Sequence, residues 1–164
     1  MARSLRRLKM KILCSVGLRS GPELVARIAE ILGTGHELLL AHVIDTEPRR
    51  ELMGFLRGPS PEGPRVRKPL LGELEAAERK SGETILAEAS EAALQAGFSY
   101  TTSLLQGEPG RKLVELAQQI QPKVVTLFPR EDSEVGPTSG PASIGHTARF
   151  IIDHAPCAVL LLRK

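Results

Sequence analysis

The chain has 164 residues and a formal net charge of +3; 41% of its residues are hydrophobic and 25% charged, with one Tyr, four Phe and no Trp. That is one domain's worth of sequence with enough apolar material for a sizeable core, and too few aromatics to offer single-stranded nucleic acid a stacking surface. The basic surplus is local, since Met1 to Lys68 holds 13 of the 22 Lys and Arg but 7 of the 19 Asp and Glu.

The basic opening (Arg3, Arg6, Arg7, Lys9, Lys11) is not followed by an uninterrupted apolar run or a small-residue cleavage site, so it reads as a ragged start to the first strand rather than a leader. Lys11 to Val16 is that strand, and Gly17 to Gly21 is the turn after it. Ser20 and Glu23 have the spacing of a capping box, and Leu24, Ile28 and Ile31 form the stripe of a first helix. Gly33-Thr34-Gly35 ends the helix, and Glu37 to Ile44 is the second strand.

An irregular stretch follows, from about residue 46 to 69. It holds Pro48, Pro59, Pro61, Gly63, Pro64 and Pro69, interleaved with Arg49, Arg50, Arg57, Arg65, Arg67 and Lys68. Proline at this density breaks helices and central strands, so Arg49 to Lys68 is expected to be a mobile loop, with one helical turn at Glu51 to Leu56. Leu70 to Ala96 is a long helix with Leu74, Ile85, Ala89, Ala92 and Ala96 on one side and Gly82 as a weak point inside it. Tyr100 to Leu105 is the third strand; Gly107-Glu108-Pro109 opens a helix with Leu113, Leu116, Ala117 and Ile120 on its apolar face; Lys123 to Phe128 is the fourth strand.

After the loop Pro129 to Gly140, Ile144, Ala148, Ile151 and Ala155 mark the buried face of a last helix, which Pro156 stops. Ala158 to Leu162 is then a short strand apolar on both faces, as in a parallel sheet covered by helices on both sides. The alternation of strands and helices predicts an α/β fold, a five-stranded parallel sheet in a single domain spanning residues 1–164. Cys14 and Cys157 have neither metal-ligand nor disulfide spacing and read as buried free thiols in a reducing compartment. The four histidines also lack metal-ligand spacing, and His42 reads as a satisfied core residue. No metal site and no nucleophile-base-acid set is legible, so no enzymatic activity is expected.

His154-Ala155-Pro156-Cys157 running into an aliphatic strand, Gly145 just inside the preceding helix, the pair His42-Val43 and the turn Gln106-Gly107-Glu108-Pro109 together resemble the universal stress protein family. The resemblance covers nearly the whole chain. It implies the strand order 3-2-1-4-5, a Rossmann-like adenine-nucleotide-binding architecture, a cytoplasmic homodimer paired through the last strand (Val159, Leu160, Leu161, Leu162), and a ligand crevice past the carboxyl ends of strands one and four.

ATP-binding members of that family place an Asp at the end of strand one, where Gly17 stands here. They carry G-x2-G-x9-G-[S/T] after strand four, where Phe128 and Glu131 align with the first two glycines. Gly145 matches the third glycine if the loop carries an insertion, and His146 stands at the hydroxyl position. Phe128 adds bulk, Pro129 removes a donor, and Glu131, Asp132 and Glu134 put negative charge where phosphates would lie. The nucleotide-binding positions that this alignment leaves are Gly17, Val43, Gly140, Ser143, Gly145 and His146, in degenerate form. Gly136, Ser139, Gly140 and Ser143 could form an anion nest, although simple loop flexibility explains such residues more economically.

The expected function is a non-enzymatic homodimeric module with a stress-response or regulatory role and impaired ATP binding. No cofactor is expected; ATP is the one that the resemblance would supply. The alternatives are an ATP-binding stress protein using altered contacts, and an adaptor that docks an acidic partner or membrane surface through the basic loop. No run reaches the length of a membrane span.

Overall fold

Ile12, Leu13 and Cys14 are three consecutive residues with no solvent exposure. A strand can bury neighbours that point in opposite directions only when both faces of its sheet are covered. In the computed structural model, which describes residues 9–56, 67–129 and 144–163, this strand is the centre of the molecule. The elements are β1 (Lys11–Ser15), α1 (Gly21–Leu32), β2 (Glu37–Asp45), α2 (Glu47–Leu56), α3 (Arg67–Gln95), β3 (Ser99–Gly107), α4 (Pro109–Ile120), β4 (Val124–Leu127), α5 (His146–His154) and β5 (Ala158–Leu161). The strands form one sheet, parallel throughout, in the order β3-β2-β1-β4-β5. The expected α/β architecture and strand order are those observed.

Alternate residues of the sheet feed two cores. Ile12, Cys14, Leu38 and Leu40 pack with Leu24, Val25 and Ile28 of α1 and Ile85, Leu86, Ala89 and Ala93 of α3. Leu13, Ala41, Val125 and Leu127 pack with Leu113, Val114 and Ala117 of α4 and Ala148 and Ile151 of α5. Among the described residues, no helix is long and apolar enough to cross a membrane.

Several local expectations are corrected. The Ser20–Glu23 box does not form: Ser20 sits at ψ 1° with no side-chain cap bond, away from the extended conformation that aims a capping hydroxyl at the first turn. The buried face of α1 runs through Leu24, Val25 and Ile28, while Ile31 is 55% exposed. Ile144 lies before α5 and is exposed, so the buried face of that helix begins at Ala148.

Gly82 is a contact rather than a weak point. A Cβ there would lie 2.6 Å from Leu104 Cδ1 and 3.2 Å from His42 Cδ2, so the missing side chain lets α3 approach β2 and β3.

The stretch expected to be irregular begins as a helix. Pro48 falls in the first turn of α2, where its missing N–H costs no hydrogen bond. Asp45 Oδ1 accepts from the Glu47 N–H at 2.9 Å, anchoring the entry. Arg49 is not a free loop cation: its Nη1 lies 2.9 Å from Glu75 and 3.3 Å from Glu78, both on α3. Arg67 to Pro69 already belong to α3, and residues 57–66 lie outside the described residues.

Candidate functional site

The carboxyl ends of β1, β2 and β4 open into a cavity of about 690 Å³. Its position follows from the strand order: α1 and α3 leave on one face of the sheet, α4 and α5 on the other, and a crevice opens where the direction of winding reverses. Three backbone bonds hold the rim. The Val16 N–H donates to Ala41 O at 2.8 Å, the Gly145 N–H to Pro129 O at 2.9 Å, and the Leu162 N–H to Leu127 O at 2.9 Å. The second of these brings the start of α5 back to the end of β4.

Gly17, Val43, Gly145 and His146, which the sequence places far apart, all border this one cavity. Gly140 and Ser143 lie outside the described residues, as do Glu131, Asp132 and Glu134. Gly17 is buried, Val43 and Gly145 half-buried, and His146 exposed at the first turn of α5. Gly145 is the N-cap of α5 and supplies no side-chain cap bond. Phe128, aligned in sequence with a glycine of the family pattern, is 8% exposed and packs into the core beneath α1 and α3.

The sequence reading missed the α3 wall. Leu74, Ala77, Glu78 and Ser81 border the cavity, and their i, i+3, i+4, i+7 spacing continues into buried Ile85. This periodicity was the available signal. Pro48 of α2 and Asp45 at the end of β2 complete that side.

The electrostatics are one-sided. Asp45 and Glu78 contribute carboxylates to the lining, and among the described lining residues there is no Lys or Arg. Arg49 meets the Glu78 charge from outside the lining. The remaining polar groups are hydroxyls of Ser15, Ser20, Ser81 and Thr147 and the imidazoles of His42 and His146. Such a surface can hydrogen-bond an uncharged polar ligand but offers a polyanion no side-chain countercharge.

His42 is a core residue, as expected, but among the described residues only one ring nitrogen finds a partner: Nδ1 lies 2.7 Å from Val16 O. His154 is turned to its own helix, with Nδ1 2.9 Å from Phe150 O and its ring stacked on Phe150 at 4.2 Å.

Both cysteines are free. Cys14 is fully buried, and burial pushes its thiol up from the usual 9.0 to about 12, with the Thr126 hydroxyl opposing this in part. Cys157 is half-buried rather than buried; burial raises its thiol too, against a smaller lowering by the Val125 backbone. Thiols held in the protonated form are poor nucleophiles. Among the described residues no group of three His, Cys, Asp or Glu could hold a metal ion.

At the edge of the sheet, Val159, Leu160 and Leu161 are half-buried and Ala158 is exposed. Leu162, expected at a dimer surface, is 2% exposed and packs in the chain's own core.

A sequence model of the universal stress protein family matches residues 10–163. No curated protein matches the chain. Among solved structures, the chain is similar to the universal stress protein UspA from Lactobacillus plantarum, with 20% identity, TM-score 0.67 and coverage of 94% of this chain and 97% of that one. It is also similar to a universal stress protein family protein from Arabidopsis thaliana with AMP bound, with 15% identity, TM-score 0.61 and coverage of 94% and 92%. The universal stress protein from Archaeoglobus fulgidus in complex with dAMP is similar at 16% identity and TM-score 0.59, with coverage of 95% and 99%.

Proposed function

The chain belongs to the universal stress protein family, and we propose that it serves there as a non-enzymatic, cytoplasmic, homodimeric binding module with a stress-response or regulatory role, whose cavity accepts the uncharged part of an adenine nucleotide better than its phosphates. The observation that carries this reading is the lining: two carboxylates, and no Lys or Arg among the described residues. Gly17 brings no carboxylate to the nucleotide, Phe128 and Pro129 align with the positions where the family's backbone would approach phosphate, and the sequence after β4 carries Glu131, Asp132 and Glu134. Charge-assisted hydrogen bonds are worth about 1.5–3 kcal/mol each, so losing several moves a micromolar triphosphate site to millimolar.

The adenine common to the AMP and dAMP complexes of the two similar structures supports keeping a nucleoside in the cavity. Calorimetric titration tests the reading: adenosine is expected to bind more tightly than Mg-ATP. A low-micromolar dissociation constant for Mg-ATP would overturn it in favour of an ATP-binding stress protein with altered contacts.

A second reading, an adaptor for an acidic partner, is supported by a cleft of about 600 Å³ whose lining sets Arg49, Arg50, Arg111 and Lys112 against Glu47 and Glu108. Salt-sensitive capture of an acidic partner, lost in Arg50→Glu, would favour it.

A further inference from the structure

His42 is 7% exposed and borders the cavity. Its Nδ1 lies 2.7 Å from the carbonyl oxygen of Val16. A carbonyl only accepts, so Nδ1 carries the proton, and in the neutral ring Nε2 presents a bare lone pair. Nothing among the described residues bonds to Nε2, whereas every side-chain nitrogen or oxygen sealed from solvent has a partner. The ring is one of the groups that line the cavity, so the cavity is the space from which a partner for Nε2 would come.

The ring is also held in place. Val16 fixes one edge, and Cδ2 stands 3.2 Å from where a Gly82 Cβ would be, so the helix behind it closes off a swing toward α3. Turning the ring over would leave the Val16 carbonyl facing a C–H. This is a fixed acceptor on a buried side chain, and such a group discriminates strongly between ligands that can satisfy it and ligands that cannot.

We propose that His42 is the specificity-determining residue of the cavity: its Nε2 accepts a hydrogen bond from an N–H donor on an uncharged heterocycle, such as the exocyclic amino group of a purine nucleoside. A ligand with a carbonyl at that place would set lone pair against lone pair, and one with only C–H would leave Nε2 unsatisfied. Amino-purine nucleosides are thereby selected over oxo-purine nucleosides, by one side chain and without a charge. The inference rests on the reading of the cavity as a nucleoside site.

The test compares three nucleosides by calorimetry: adenosine, with the amino group; inosine, with an oxo group in its place; and purine riboside, with neither. Wild type is expected to bind adenosine at least about tenfold more tightly than the other two, the discrimination expected of one buried hydrogen bond. His42→Phe is expected to bind all three alike. In wild type labelled with 15N at histidine, the Nε2 resonance is expected to shift on adding adenosine and to stay in place with purine riboside; this readout needs no substitution and so survives a variant that fails to fold. Equal binding of the three by wild type would overturn the role of His42 and leave the cavity reading standing. Discrimination that persists in His42→Phe would overturn it too. Binding of none of the three would overturn the proposal together with the reading beneath it.

Discussion

His42 and Val16 are 26 positions apart, and their bond at 2.7 Å has no local signature; a core histidine could be expected from the apolar run around it, but not which nitrogen it would leave open. Gly82 has the same character, since its helix-breaking tendency is visible in sequence while the neighbours that require it, Leu104 and His42, come from other strands. Cys14 was readable as a buried thiol from its place in an apolar strand, and burial gives it a measurable consequence. Its thiol rises from 9.0 to about 12 in the folded chain. Below pH 9 folded and unfolded states both hold the proton, and the contribution to stability is complete. Between 9 and about 12 the unfolded chain releases the proton and the folded chain keeps it, so stability falls with rising pH, by up to about 1.4 kcal/mol per unit. Urea unfolding of wild type and Cys14→Ala, measured from neutral to alkaline pH, should show the advantage of wild type shrinking once the pH passes 9. Parallel stability curves for the two would refute the assignment.

Elements with a clean period were legible: α4 and the strands β1 and β2 appear close to where their apolar spacing put them. The errors fall at ends, where a stripe was carried one turn too far, as with Ile31 and Ile144, both exposed. The start of α2 was hidden for a different reason. Proline count over a window says nothing of position, and Pro48 stands in the first turn, where a helix tolerates it. What holds α2 is tertiary. The Arg49 side chain is 14% exposed and its Nη1 reaches both Glu75 and Glu78. Exposed ion pairs contribute little, but neutralising both carboxylates leaves a largely buried guanidinium without its partners, at a cost of several kcal/mol in the worst case. Glu75→Gln with Glu78→Gln should therefore loosen α2 while leaving its tryptic sites intact. If local opening becomes about 1–2 kcal/mol easier, cleavage after Arg49 and Arg50 should rise about 5–30-fold, with little change in global unfolding. Unchanged cleavage would mean that packing, not this clasp, holds α2 against α3.

Across the whole molecule, alternation of strands and helices was enough to predict a parallel sheet, but strand order is not written in periodicity and came through resemblance. The order decides which strands are edges, and the two edges differ. β3 presents Tyr100, Thr101 and Thr102 as exposed residues, a largely polar rim. β5 presents Ala158 to Leu161 without a proline or charge, the kind of edge that proteins cover. A second copy pairing two-fold through β5 would cover it. Four residues are a short ladder, and a stable interface buries about 1,200–2,000 Å² in total, so neighbouring surface must join. Ile152 on α5, 43% exposed, and Ile144, 42% exposed, supply apolar area close by in the sequence. Leu162 does not, because its own core already holds it at 2% exposure. The full chain is expected to be a dimer by light scattering. Leu161→Lys should shift it to monomer or render it insoluble, since Leu161 also packs on the α4 and α5 core. Ile152→Glu changes an exposed side chain and should raise the dimer dissociation constant while leaving the circular dichroism spectrum unchanged. A wild type that stays at the mass of one chain up to millimolar concentration would leave the β5 edge uncovered in solution and remove the dimer from the proposed function.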